Sequence, residues 1–469
     1  MPKDTFDLII LGGGAGAFAA AIRANELNVK TALVNAGLPL GGTCVNVGCV
    51  PSKTLLWAGE VMHHAQHHGI PGIELTIRRF DFPKVVQDEL ALVERLRQEK
   101  YEKVLSALEH VTFIEGTASF LSPYEIEVSS QRLRGEKFII ATGSTATVPP
   151  IKGIREVGYV THIEALKLER QPKDLIVVGA GPLGLEFAQM YARFGTQVTI
   201  LQKGSSVFPP TEPELSARLA EILAGEDITI HTNVEVKAAR REGNQKVLTY
   251  ESQGKTAEVR ADEILLATGK TPNTGSLGLE HARVEITDRK AIRVNPYFQT
   301  STPHVYAVGD VTNLPLRLET TAGREGTLAA ENALIGSEKT IDYRTVPYTI
   351  FTDPQLAGVG LTEAEEMKEL GRCACRTVSF KDVPKALITR RAEGLIKMAI
   401  HPDTKEILGV HLLAPNAGDL IAQAMTLVIN KNTIDDVVAS LPVFPTMSEA
   451  IKIVALSFTK DISKLSCCV

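Results

Sequence analysis

FDLIILGGGAGAFAAAIRANELNVKTALVN, residues 6–35, begins as an apolar strand, turns at Gly12-Gly13-Gly14-Ala15-Gly16-Ala17, runs through a helix of small residues and returns as a second strand. Near the middle of the chain the pattern recurs as DLIVVGAGPLGLEFAQMYARFGTQVTILQKG, residues 174–204, with Gly179, Gly181 and Gly184 at the same offsets; Ala17 stands for the third glycine in the first copy. A G-x-G-x-x-G string alone is weak evidence. After a strand, at the mouth of a helix and inside a unit of about 30 residues, it is a dinucleotide-binding fingerprint. Missing side chains let the backbone turn sharply and approach a pyrophosphate, which the free N–H groups and dipole of the helix N-terminus stabilise. Two copies predict an α/β protein with two Rossmann-like modules, each holding one dinucleotide. Ala141-Thr142-Gly143, Ala267-Thr268-Gly269 and the strand VYAVGD ending at Gly309-Asp310 read as further turns where strand ends meet a cofactor.

The 469 residues, 44% of them hydrophobic, can bury several cores, and ordinary domain sizes suggest about three domains. Net charge is -5 with acids and bases interspersed, so the basic stripe that holds nucleic acid is absent. No apolar run approaches the roughly 20 residues of a membrane span, and MPKDTFD leads into the first strand without a charged-then-apolar leader. The expectation is a soluble, cytoplasmic protein with neither nucleic acid nor membrane as partner. From residue 345 the texture changes to alternating strands (TIFTDPQLAGVGLT, LIKMAIHPDTKEILGVHLLA) and then amphipathic helices. This predicts a separate α+β domain without a nucleotide fingerprint, a candidate oligomer interface.

The six cysteines fall in pairs. Cys44 and Cys49 lie in Gly41-Gly42-Thr43-Cys44-Val45-Asn46-Val47-Gly48-Cys49-Val50-Pro51-Ser52-Lys53, directly after the first module's second strand. Their spacing is a little over one helical turn, so a helical segment would show both sulfurs on nearly one face. They could close a disulfide or share a soft ion, and a helix N-terminus would favour the reactive thiolate. Cys467 and Cys468 are adjacent; Cα atoms about 3.8 Å apart make a mutual bridge strained, and a metal chelate suits them better. Cys373 and Cys375 alternate along a possible strand and face one way, which reads as packing, with adventitious metal capture as the alternative. HHAQHH at residues 63–68 has chelating i, i+4 spacing but reads as a solvated helix face. Trp57 and VERLRQEKYEKVL read as ordinary amphipathic helix.

GGTCVNVGCVPSK resembles the active-site segment of the pyridine nucleotide:disulfide oxidoreductases, and the likeness extends over essentially the whole chain. The resemblance implies FAD in the first module, with Gly12, Gly14, Gly16, Ala17, Asn35, Gly42, Thr43, Lys53, Ala141, Thr142, Gly143, Gly309 and Asp310 about it. It makes Cys49 the thiolate that exchanges electrons with the flavin and Cys44 the outer thiol that meets substrate. Lys53 and Glu186 become an ion pair beside the flavin ring, and Asp310 holds the flavin chain. The implied division is FAD-binding at 1–150 and 276–344, NADPH-binding at 151–275, and a dimerisation domain at 345–469. Asn35 stands where an acid would meet a ribose, and its amide can still hydrogen-bond a hydroxyl. In the second module Gln202-Lys203-Gly204-Ser205 replaces that acid; Lys203 and Ser205 would attract a 2′-phosphate, so with Gly179, Gly181, Gly184, Glu186 and Gly269 the expected coenzyme is NADPH.

Members of the family that act on lipoamide or glutathione carry a His before the Pro of a His-Pro-Thr-x-Ser-Glu segment, where it works with the Glu as general base. This chain reads Phe444-Pro445-Thr446-Met447-Ser448-Glu449. Phenylalanine cannot move a proton, although Glu449 remains. The tail Lys464-Leu465-Ser466-Cys467-Cys468-Val469 resembles that of the mercuric reductases in the family, and FTDPQLAGVGLTEAE, DVPKAL and LLATGKTPNTGSLGL agree. That likeness implies a homodimer in which Cys467 and Cys468 of one subunit capture Hg(II) from thiol complexes and pass it to Cys44 and Cys49 of the other. A soft ion moves between thiolates by ligand exchange and needs no base. The chain departs from the pattern at Phe444, where many relatives have Tyr, and begins at the FAD module without a metal-capture domain ahead of it. Two other readings remain: a reductase for a low-molecular-weight disulfide, and a flavoprotein that stores soft metal without turnover. Lys53, Glu186 and a complete hydride-source module speak against storage.

Overall fold

The computed structural model describes residues 4–466. The chain opens with β1 (Thr5–Leu11), α1 (Ala15–Glu26) and β2 (Thr31–Asn35), then α2 (Gly42–Val47), α3 (Cys49–His67) and α4 (Phe82–Arg97). Four strands follow: β3 (Val111–Glu115), β4 (Ala118–Ser122), β5 (Glu125–Val128) and β6 (Gln131–Ile140). They form one sheet in the order β3-β2-β1-β6-β5-β4, with Val305–Ala307 added in parallel to the end of β6. β1 lies parallel to β2 and β6, and its residues 8–11 are all buried, as a sheet covered on both faces requires. Leu8 and Ile10 face α1 and the helix Glu319–Ile335, while Ile9 and Leu11 join the core on the other face.

The second fingerprint builds the same plan again. Asp174–Val178 sits between Gln197–Leu201 and Glu263–Leu266 in a four-stranded parallel sheet, and Val234–Glu242, Gln245–Ser252 and Lys255–Ala261 make an antiparallel meander beside it. A two-stranded ribbon, Ser144–Ala146 with Lys270–Pro272, ties the two modules together. Beyond residue 345 a five-stranded antiparallel sheet is backed by the helices Ala417–Ile429, Ile434–Ala439 and Glu449–Leu456, whose apolar faces enter one core with Ile396, Met398, Val410 and Leu412. The α/β class with two Rossmann-like modules and a terminal α+β unit is the architecture the sequence predicts. Among the described residues no helix is long and apolar enough to cross a membrane.

Two local departures bear on the site. The segment around the first cysteine pair is not one continuous helix, because the backbone breaks at Gly48 (φ -135°, ψ -109°) between α2 and α3. A Cβ at Gly48 would sit 2.8 Å from the Thr43 carbonyl oxygen, closer than real Cβ atoms approach, so this break depends on glycine. The amphipathic stretch 93–105 is also interrupted, by a π-helical turn at Gln98–Glu102. That wider turn, a form often found at functional sites, carries Tyr101 edge-on against Phe18, with ring centroids 4.9 Å apart, and over Gly41.

Candidate active site

One cavity of about 590 Å³ gathers residues from all three parts of the molecule: Gly14 and Gly16 from the first turn, Cys44, Cys49 and Lys53 from α2 and α3, Glu186 from the second module, and Tyr348 and Phe351 from beyond residue 345. Its floor is prepared for an anion. Gly14 is the N-cap of α1 and makes no side-chain cap, leaving the first-turn N–H groups free. Gly12 has φ 127°, and a Cβ there would overlap the Ala141 carbonyl oxygen. Ala141, Gly143, Gly309 and Asp310 line the same cavity. Ser144 Oγ donates to Asp310 Oδ2 at 2.7 Å. Behind it the buried Glu325 accepts from Gly309 N at 2.7 Å and Tyr343 OH at 2.8 Å, and burial raises its carboxyl above the usual range. A stripped anion-binding turn, an aspartate at the far strand end and the cavity of about 590 Å³ that both line fit FAD.

The thiol pair lies at the centre. With the helix broken at Gly48, Cys49 becomes the first residue of α3, where N-terminal N–H groups favour a thiolate. Cys49 is held below the ordinary thiol range by the hydrogen bond from Cys44 and then, against the cost of burial, by the charge of Lys53. Cys44 is pushed up by the same hydrogen bond and by burial. The pair is thus polarised, with the negative charge on Cys49.

Lys53 Nζ stands 2.7 Å from Glu186 Oε2 and 4.6 Å from the centre of the Phe351 ring. The second oxygen of Glu186 accepts from Phe351 N at 2.9 Å, so the buried carboxylate is fully engaged. Phe351 was not legible as part of this site, because a backbone N–H carries no residue signature. Neither was the pair formed by Lys270 and His162, which line the cavity with Nζ 2.9 Å from Nε2. Burial brings Lys270 down to about 8, and burial together with Lys270 brings His162 down to about 4, so the imidazole is the neutral acceptor at neutral pH.

The second turn is more open. Gly181 caps Pro182–Arg193 without a side-chain cap, and Pro182, Leu183 and Glu186 reach the shared cavity. Gly179 has φ 107° and a Cβ there would lie 2.5 Å from the Ala267 carbonyl oxygen; one at Gly184 would overlap the Gly179 carbonyl, which sets the close helix–strand packing. Gly269 ends the neighbouring strand with open space around it. Lys203, 84% exposed and 3.8 Å from Glu235, stands with exposed Ser205 past the strand end. The free helix end, with the Lys203 ammonium and the Ser205 hydroxyl beyond it to meet a phosphate, fits NADPH.

Other predicted residues lie elsewhere. Asn35 is packed against Gly13 and its Nδ2 donates to the Leu38 carbonyl at 3.0 Å. Thr142 exchanges hydrogen bonds with Asn273 at 2.9 Å instead of facing the cavity. Gly42 sits against Gly14, and Thr43 lines the cavity. Glu449 accepts from Thr446 N at 2.9 Å at the start of its own helix, outside the cavity of this subunit. Near it Leu441, Val443 and Phe444 are exposed at 94%, 77% and 48%, an apolar strip on the α+β unit. The histidines of residues 63–68 are not simply solvated: His64 lies 3.1 Å from Asp353 and 3.4 Å from Glu60. Arg193 and Arg391 already pair Asp353, so this knot of charges is an ion-pair clamp between helices, not a cation site. Cys467 and Cys468 lie outside the described residues.

The chain is similar to known proteins over nearly all its length. Residues 6–329 match the model of the pyridine nucleotide-disulphide oxidoreductase family and residues 346–455 that of the family's dimerisation domain. A mercuric reductase of Staphylococcus aureus is 39% identical over 99% of this chain and 84% of its own length. One of Streptomyces lividans is 40% identical over 99% of this chain and 98% of its own. The HOCl-induced flavoprotein disulfide reductase RclA of Escherichia coli superposes with a TM-score of 0.84 at 27% identity, covering 97% of this chain and 100% of that one; its Cu(II) complex gives a TM-score of 0.85. With a cavity fitted to FAD, a coenzyme turn opening into it and a polarised thiol pair between them, the chain belongs to the pyridine nucleotide-disulphide oxidoreductases and is an oxidoreductase using FAD and NADPH.

Proposed function

We propose that this enzyme reduces Hg(II) to Hg(0) with NADPH, through FAD and the Cys44/Cys49 pair. The observation that carries the reading is the polarised thiol pair with no proton-transferring residue at position 444. Disulfide exchange must return protons to leaving thiols, whereas a thiophilic ion exchanges between sulfurs without a base. Mercuric reductases at 33–40% identity support the same substrate.

FAD, when bound, supplies the two-electron relay between the nicotinamide and the thiol site. The α1 N-terminus would bind its pyrophosphate, and Asp310, positioned by Ser144, would hold its chain. Lys53 keeps Cys49 deprotonated, and Glu186 with Phe351 N fixes the ammonium. Hg(II) arrives as a bis-thiol complex; its two bonds to the carriers break as two Hg–S bonds form to Cys44 and Cys49, one carrier leaving as thiolate and the other as thiol with the Cys44 proton. Two electrons from NADPH, which leaves as NADP+ with release of a proton, reduce the ion; both Hg–S bonds break, neutral Hg(0) departs, the proton returns to Cys44 and Cys49 remains a thiolate. Cys467 and Cys468 of a partner subunit deliver the ion in a homodimer, assembled through the 345–469 domain with its apolar strip at 441–444, in the cytoplasm. Stoichiometric NADPH loss with Hg(0) vapour, in excess free thiol, is the expected result. Mercury inhibition together with turnover of oxidised glutathione or lipoamide would instead establish a disulfide reductase, the reading that likeness to RclA supports. Tight mercury binding without NADPH loss would mean storage.

A further inference from the structure

Cys373 and Cys375 do not have the packing that their alternation suggests. The strand Ala374–Ser379 is an edge of the five-stranded sheet, paired only with Leu395–Ile400, and both thiols are half-exposed. Residues two apart on a strand share a face. That face meets the helix Glu363–Leu370, where Cys373 Sγ donates to Glu363 Oε1 at 3.5 Å and Cys375 Sγ to Glu366 Oε2 at 3.4 Å. Glu366 is fully buried and fixed by Ala374 N at 3.1 Å. The nearest ammonium, Lys397, is already shared among Glu212, Glu214 and Glu363 at 3.0, 2.7 and 2.5 Å, and Arg372 pairs with Asp403. Two thiols therefore face a surplus of carboxylate charge in a spot open to solvent.

We propose that Cys373 and Cys375 form a second soft-metal site, separate from the cavity, that takes a two-coordinate thiophilic cation such as Hg(II) from a low-molecular-weight thiol complex. Sulfur donors on one face supply the coordination that such an ion prefers, and the carboxylates favour its charge. Each thiol donates its proton to a carboxylate, so both protons must leave as metal enters. The exchange balances: two Hg–S bonds to the carriers break and two form to Cys373 and Cys375. The two protein protons pass by way of Glu363 and Glu366 to the departing carriers, which leave as neutral thiols, and no electron moves.

The test uses the full-length, FAD-loaded enzyme, exposed to Hg(II) in excess monothiol, desalted and assayed for bound mercury per subunit. C373S/C375S should hold one ion fewer than the unaltered protein, and each single variant should lose the same ion, while flavin content and NADPH-dependent turnover stay unchanged. In C44A/C49A the ion at this second site should persist. Equal mercury in the unaltered protein and the double variant overturns the proposal, as does full retention in either single variant.

Discussion

The two dinucleotide modules start from the same fingerprint and end as different kinds of site. In the first, the turn is roofed: α1 packs tightly on Glu319–Ile335, where a Cβ at Gly326 would overlap the Gly16 carbonyl, and Asp310 closes the cavity from a segment some 300 residues on. In the second, Gly181 and Gly269 face open space and Lys203 is almost wholly exposed. A roofed turn suits a cofactor that stays; an open one suits a coenzyme that must come and go each cycle. The same backbone motif thus serves retention or exchange according to what later chain segments lay over it.

The contrast is most severely tried at the glycines. Gly326→Ala drives a side chain onto the Gly16 carbonyl and overpacks the roof by roughly 1–3 kcal/mol, so the protein should lose flavin on gel filtration and melt earlier. Gly181→Ala, with an ordinary φ of -78° and free space, should keep flavin and change stability by no more than about 0.5 kcal/mol. Flavin loss from both variants would end the distinction between closed and open turns.

A second measurement sharpens the shared centre. The folded Cys49 thiol lies below its unfolded value, so stabilisation by its thiolate is present above the unfolded pKa and lost as pH falls through the folded one. Alkylation of Cys49 in reduced enzyme should therefore persist below the ordinary thiol pKa of about 8.5. Lys53→Met should move that profile upward and cut kcat by about 100-fold, the scale for removing one preorganised charge. An unmoved alkylation profile would detach Lys53 from the thiolate.

The smallest effect belongs to the open end. An exposed ion pair is worth about 1 kcal/mol at most, so Lys203→Glu should shift the NADPH/NADH preference by about fivefold through KM, with kcat held. A larger change would mean that the coenzyme closes a region that is open in the free protein.

Much of this was written locally. The fingerprints name both turns because a glycine's φ and a helix N-terminus are properties of adjacent residues, and the pairing of Lys53 with Glu186 was implied by the family resemblance. Side-chain partners were not legible in the same way: Asn35 bonds the Leu38 carbonyl three residues on, Thr142 meets Asn273 and Lys270 meets His162 across more than 100 residues, and Phe351 enters through its backbone N–H. The cysteine segment lay between these cases: its spacing implied a shared face, but contact with Thr43 at Gly48 set the break that puts Cys49 at a helix start.

By itself the sequence determined the α/β class and the two nucleotide turns, which rest on periodicity and glycine; the paired thiols and the absent base at Phe444 were readable through the family resemblance. Only the tertiary structure decided where the helix breaks beside Cys49, which turn is roofed and what faces Cys373 and Cys375. Those outcomes depend on burial and on charges brought together from distant segments, and neither exists until the chain has folded.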